Sequence, residues 1–145
     1  MSRWNPWRAL RARAHIRFAL DHLPDGVGGA VYGRRGDDAA IVIDRRLSQR
    51  DRAAALAHEL VHDERGCPPG RDEVPVGWWP VIVREEGVVE RIVADRLVPS
   101  DALRAFVDSM AEIGESVTAL EVSEEFDCSV ALAQRALEAL RGRAA

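Results

Sequence analysis

The segment from Ser48 to Gly66 constrains the fold more than any other part of the sequence, because it carries residues typical of both ends of a helix. Ser48 can cap the start of a helix together with Asp51 three residues later, and glycine is the typical residue just after a helix C-terminus. The stretch therefore predicts a helix from about Gln49 to Arg65.

This predicted helix carries the string His58-Glu59-Leu60-Val61-His62. Residues four apart lie one turn apart on the same helix face, so both imidazoles can reach one zinc ion at about 2.0–2.1 Å. Glu59 follows the first ligand and points to the side where a general base is needed. The competing interpretation is ordinary surface patterning of His and Glu, since short motifs also occur by chance. The His58-to-His62 string lies inside a well-capped helix, in a chain with only 4 histidines, and this favours the metal site over chance patterning.

A third ligand must come from another element, because a catalytic zinc ion usually has three protein ligands and one open position. Glu86 and Glu90 lie one turn apart on the next predicted helix, and both are candidates. We expect Glu86 to be the ligand and Glu90 to accept a hydrogen bond from a ligand imidazole, which fixes its tautomer. Glu85 points about 100° away from Glu86 and is the weaker candidate. The alternative is a solvated acidic helix face. The expected cofactor is one Zn2+ ion, with Mn2+ as the alternative.

The remaining elements follow from periodicity and from cap and turn residues. Asn5 as N-cap and Pro6 at the first helical position favour a helix over residues 5–23. Two β-rich runs, Gly28–Tyr32 and Ala39–Ile43, predict a hairpin. Further predictions are a loop over residues 66–80 with Trp78 and Trp79, a helix from Val81 or Arg84 to Leu97, a helix from Asp101 to about Ala111, and two helices within residues 116–141 with a break at 127–129. The order predicts an α+β fold, mainly helical, with a small sheet.

Length and composition predict a globular chain, with 145 residues of which 47% are hydrophobic and 30% charged. We expect a metallopeptidase domain over residues 1–112 and a helix-turn-helix-like tail over residues 113–145, packed on it.

A net charge of -4 gives no general attraction to nucleic acid or anionic membranes, and the acidic tail disfavours DNA binding. Two cysteines, no apolar run of about 18 residues and no signal-like start predict a cytoplasmic protein without a membrane span.

Two stretches of the sequence resemble the ImmA/IrrE family of metallopeptidases, also called the DUF955 domain. They read AIVIDRRLSQRDRAAALAHELVHDERG and REEGVVERIVADRLVPSDAL, and they fall within residues 27–105. Members of the family typically show a strand, a polar turn and a helix ending in AHELxH. An E-x-x-A helix and an LLMP-like segment follow, and residues 86–89 and 96–99 occupy these two positions here.

The resemblance implies a gluzincin-type, zincin-like fold and a zinc endopeptidase. Carried over to this sequence, it makes His58, His62 and Glu86 the metal ligands and Glu59 the catalytic acid and base. It also implies a substrate, because family members cut a helix-turn-helix repressor of a phage, a mobile element or a stress response. The expected partner is therefore a transcriptional repressor that the protein cleaves.

Two other functions compete with the hydrolase. One is a metal-stabilised regulator that binds a protein partner without turnover, and the other is a DNA-binding regulator that uses the basic arm at residues 3–17. An intact Glu59 favours the enzyme, since a binding role has no need of a base there. The donor that would stabilise an oxyanion is left open among Tyr32, His22 and Arg84.

Overall fold

The structure is a computed structural model that describes residues 3–66 and 76–144, and it has the α+β architecture that the sequence predicts. A short 3-10 turn, Val76–Trp78, precedes the third helix. The elements are α1 Pro6–Arg11, β1 Ile16–Asp21, β2 Ala30–Arg35, β3 Asp38–Asp44, α2 Gln49–Arg65, α3 Trp79–Leu97, α4 Ser100–Glu112, α5 Ala119–Phe126 and α6 Val130–Ala144.

The three strands form one sheet in the order β1-β3-β2. β1 runs parallel to β3 and pairs Phe18 with Ile41, while β2 runs antiparallel to β3 and pairs Tyr32 with the same residue. Alternate residues of β3, namely Ala39, Ile41 and Ile43, are buried, as the two-residue period of a strand requires. β3 is therefore the central strand, and β1 and β2 are the outer ones.

α2 covers the residues that the sequence predicts. The Ser48 hydroxyl accepts a hydrogen bond from the backbone N–H of Asp51 at 3.1 Å. At the other end Gly66 has a φ of 67°, a left-handed conformation that glycine adopts without a steric penalty. Leu56 and Leu60 are fully buried, and the helix contacts β2 and β3. This packing fixes which side of α2 faces the sheet.

The helix predicted over residues 5–23 is wrong beyond its first turns. Asn5 does cap α1, its side-chain oxygen accepting a hydrogen bond from the backbone N–H of Arg8 at 3.1 Å, but α1 ends at Arg11. Residues 16–21 form β1 instead, and their burial alternates along the strand. The helical spacing seen there is a local signal, whereas pairing with β3 is a tertiary contact, and tertiary contacts override propensity.

Other boundaries differ by a few residues. The predicted hairpin is present, but β2 covers Ala30–Arg35 rather than Gly28–Tyr32. α3 already begins at Trp79, inside the segment predicted as a loop and before the predicted starts at residues 81 and 84. Residues 67–75, which make up most of the predicted loop, lie outside the described residues.

The described chain divides into two compact units. One is Asn5–Val93, with α1, the sheet, α2 and most of α3, and the other is residues 94–144 together with residues 3 and 4. The division falls within α3, whereas the sequence predicts a domain boundary after residue 112. α4 groups with the C-terminal helices because Leu103 belongs to their buried core.

The second unit contains the two helices predicted within residues 116–141. α5 and α6 are separated at residues 127–129, where Asp127 has a φ of 52°. Thr118 and Glu121 cap the start of α5 reciprocally, each side chain bonding the other's backbone N–H. The buried core of this unit includes Val117, Val122, Phe126, Leu132, Leu137 and Leu140.

No helix in the described ranges combines the length and the apolar character needed to cross a membrane.

Arg46 secures the end of β3 through Asp44. Its Nη2 donates a hydrogen bond to Oδ2 of Asp44 at 2.6 Å, and hydrogen bonds from Arg46 hold the pKa of Asp44 well below its usual value. We expect Arg46→Gln to lower the thermal midpoint of unfolding at neutral pH. A carboxylate with a depressed pKa stabilises a fold above its unfolded pKa of about 3.9 and loses that contribution as the pH falls further.

The difference between Arg46→Gln and wild type should therefore narrow as the pH falls below about 4. Thermal unfolding followed by circular dichroism across this range measures it. A difference that is the same at neutral and at acid pH would mean that Asp44 is not the source of the effect.

Candidate metal centre

Two imidazoles lie side by side on α2, one helical turn apart. Nε2 of His58 is 3.1 Å from Nε2 of His62, and the ring centroids are 4.7 Å apart. The four-residue spacing brings them onto one face of the helix. Both rings therefore turn their Nε2 atoms toward the same point, as the sequence predicts.

α3 brings Glu86 to this point. Its Oε2 lies 3.1 Å from Nε2 of His58, and its Oε1 lies 3.1 Å from Nε2 of His62. The three side chains form a group that could hold a metal ion, with ligand atoms within 4.8 Å of one another. All three belong to the unit Asn5–Val93. The preferred third residue of the sequence analysis is thus the one that meets the imidazoles.

The distances suit a tetrahedral ion. Ligand atoms bound about 2.0–2.1 Å from zinc at tetrahedral angles lie about 3.3 Å from one another. The two Nε2 atoms are 3.1 Å apart, and each lies 3.1 Å from a different oxygen of Glu86. Each Nε2–H could donate a hydrogen bond to its own oxygen of Glu86, but the 3.1 Å contact between the two Nε2 atoms would then have no hydrogen bond. A single cation accommodates all three contacts at once.

The group is closed on the His62 side and open on the other. The side chain of His62 is 6% exposed, whereas those of His58 and Glu86 are 29% and 38% exposed. Burial and the neighbouring His62 lower the pKa of His58, which favours the neutral imidazole. The neutral form is the one that binds metal ions. The partial exposure leaves solvent access on the side of His58 and Glu86.

Glu59, the predicted catalytic residue, is partly buried beside this group. On α2 it projects about 60° from His62 and about 100° from His58. Burial, and then the negative charge of Glu86, raise the pKa of Glu59 to about 7. The two carboxylates are therefore within electrostatic reach of each other. Glu59 lies near the three candidate ligands without being one of them.

The other two acidic residues considered on α3 have different surroundings. Glu85 accepts hydrogen bonds from Nε of Arg65 and, at 3.0 Å, from its Nη2, so it joins α3 to the end of α2. This agrees with its ranking as the weaker candidate. Glu90 is exposed, and its charge opposes the lowering of the pKa of His58. Glu90 thus lies within electrostatic reach of a candidate ligand, and its hydrogen bond to an imidazole stays a prediction.

Asp63, the residue after His62, has partners that sequence reasoning missed. It is buried, its Oδ1 accepts a hydrogen bond from the Tyr32 hydroxyl at 2.8 Å, and its Oδ2 lies 2.8 Å from Nε2 of His15. A signal was present, because Asp63 follows the buried Leu60 by three residues and so lies on the apolar side of α2. A carboxylate in such a position needs hydrogen-bond donors.

The candidate oxyanion donors have different surroundings. Tyr32 donates its hydroxyl proton to Asp63, while His22 and Arg84 are exposed. Trp78 and Trp79, predicted in a loop, lie at the start of α3 and are each 55% exposed. The choice among the three donors stays open.

Comparison of the chain with protein-family models, with curated proteins and with solved structures finds no match. The family resemblance of residues 27–105 therefore stays a prediction from the sequence.

Proposed function

We propose that this protein is a zinc-dependent endopeptidase. The observation that carries the proposal is the meeting of His58, His62 and Glu86, with Glu59 directly after the first of them. Two imidazoles and one carboxylate form a donor set of catalytic zinc sites, which keep a fourth position open. Structural zinc sites usually have four protein ligands instead. Zinc is preferred to Mn2+ because imidazole suits zinc, whereas manganese favours oxygen donors.

The mechanism assigns a separate task to each side chain. Zinc held by this group would supply Lewis acidity, which acidifies water and polarises the scissile carbonyl. His58 and His62 would hold the ion through their Nε2 atoms, and Glu86 would hold it through its carboxylate. Glu59 takes a proton from the attacking water onto its carboxylate and passes it to the nitrogen of the departing amine. One water molecule is consumed for each amide bond that breaks.

The proposal includes a gluzincin-type core. It is supported by the arrangement in which α2 carries both histidines and packs on the sheet, while the carboxylate comes from the following helix. Two supports are therefore independent of each other, namely the donor set and the order of the elements that supply it.

For the substrate we infer a regulatory protein, in particular a helix-turn-helix repressor of a phage, a mobile element or a stress response. The support is the resemblance of residues 27–105 to the ImmA/IrrE family. The setting would be the cytoplasm, where such a repressor meets its operator.

Hydrolysis of an internally quenched peptide library tests the proposed activity. The zinc-loaded protein should cleave library peptides, 1,10-phenanthroline should stop the reaction, and added Zn2+ should restore it. Purified helix-turn-helix repressors encoded beside its gene are the second set of substrates, and we expect a discrete cut in one of them. A zinc-loaded protein that cleaves neither set would contradict the peptidase proposal.

A further inference from the structure

Asp63 is a buried carboxylate whose two oxygens are engaged by two different elements. Its side chain is 5% exposed, with Tyr32 on Oδ1 and His15 on Oδ2, both at 2.8 Å. Burying a carboxylate without such donors would cost several kcal/mol of folding free energy, so the fold strongly favours keeping both contacts of Asp63.

The two partners come from opposite edges of the sheet. His15 directly precedes β1, and its carbonyl accepts a hydrogen bond from the backbone N–H of Ala39 at 2.9 Å. Tyr32 lies within β2, paired with Ile41 of β3. Because β1 and β2 flank β3, the single carboxylate of Asp63 ties both outer parts of the sheet to α2.

Asp63 itself points away from the metal group. On a helix it lies about 100° from His62 and about 140° from His58, so it is not directed to the point where their Nε2 atoms meet. It is not among the three side chains whose ligand atoms lie within 4.8 Å of one another. Any effect of Asp63 on a bound ion must therefore act through the orientation of α2.

Small changes in the orientation of α2 would move the imidazole nitrogens by a large distance. A rotation of α2 by about 10° would move an atom about 7 Å from the helix axis by roughly 1 Å. Metal sites tolerate bond-length deviations of only about 0.2 Å. Hydrogen bonds to two strands, made one residue after His62, are well placed to prevent such a rotation.

We propose that Asp63 is a positioning residue of the metal centre, which sets the rotation of α2 through Tyr32 and His15 and so holds His58 and His62 in position against Glu86 of α3. The inference rests on the zinc centre of the proposed function. It does not require that the bound zinc be used for peptide hydrolysis.

The test compares metal affinity with stability. Tyr32→Phe and His15→Ala each remove one donor, and Asp63→Asn weakens both interactions. Zn2+ dissociation constants are measured by chelator competition, at a temperature where circular dichroism shows every variant fully folded. We expect each single-donor variant to bind Zn2+ about tenfold more weakly than wild type, as is common for groups that orient metal ligands. The visible spectrum of the Co2+-loaded protein should change as well, because it reports ligand geometry.

Arg46→Gln is the matched control, since it removes hydrogen bonds from another buried carboxylate, Asp44, in the same unit. It should lower stability and leave the Zn2+ dissociation constant and the Co2+ spectrum as in wild type. A purely structural role for Asp63 would produce the same pattern in Tyr32→Phe and His15→Ala.

The outcomes separate this inference from the proposed function. If wild type binds Zn2+ and both single-donor variants bind it equally well, the positioning role is overturned. If affinity depends on Tyr32 and His15 but no peptide is cleaved, the positioning role is upheld and only the peptidase is contradicted. If wild type binds no Zn2+, both are overturned.

Discussion

Glu59→Gln should lower peptide hydrolysis by about 10²–10⁴-fold, the usual contribution of a general acid and base. Glutamine has nearly the same shape as glutamate but cannot accept the proton of the attacking water. Because Glu59 is not one of the three candidate ligands, the variant should keep its bound zinc. The expected signature is therefore a large loss of kcat/KM at unchanged metal content.

Glu64→Gln provides the control for this variant. Glu64 is also on α2, but it is paired with Arg13 and is not part of the metal group. The same change from carboxylate to amide should therefore leave hydrolysis close to wild type. If Glu59→Gln cleaves as fast as Glu64→Gln, Glu59 is not the base and the mechanism given above is wrong.

Glu86→Gln should weaken zinc binding by about 10²-fold. Zinc sites in small proteins bind the ion with a free energy of roughly 10 kcal/mol. The loss of one charged ligand out of three should therefore cost about 3 kcal/mol of binding free energy. A difference of 1.4 kcal/mol corresponds to about a tenfold change in affinity. Hydrolysis at limiting zinc should fall in parallel, and excess Zn2+ should recover only part of it. Chelator competition measures the dissociation constant.

Glu90→Gln is the matched comparison, on the same helix and one turn further along. We expect its zinc affinity to fall by at most about tenfold, the effect of a group that orients a ligand imidazole. The opposite ranking, with Glu90→Gln the weaker binder of the two, would make Glu90 the third ligand.

α2, which carries His58 and His62, is the part of this protein that is easiest to predict from the sequence. Its ends are set by local interactions of Ser48 and Gly66, which involve residues only a few positions away. The meeting of His58 and His62 follows from helix geometry alone. Local signals of this kind do not depend on the rest of the fold, so α2 and its two imidazoles could be predicted.

The contacts that depend on distant parts of the chain could not be predicted in the same way. β1 exists because residues 16–21 pair with β3, more than twenty positions later, and the local pattern there favours a helix. Glu86 could be named as a candidate, but its approach to the imidazoles depends on how α3 packs. The partners of Asp63 come from β2 and from the turn before β1, so they appear only once the sheet is assembled.

Metal analysis of the purified protein tests the central claim most directly. After zinc loading and removal of free metal, inductively coupled plasma mass spectrometry should find about one zinc ion per chain in wild type. The double variant His58→Ala/His62→Ala should contain essentially none while its circular dichroism spectrum stays helical. Wild type without zinc, or a double variant that keeps as much zinc as wild type, would contradict the account.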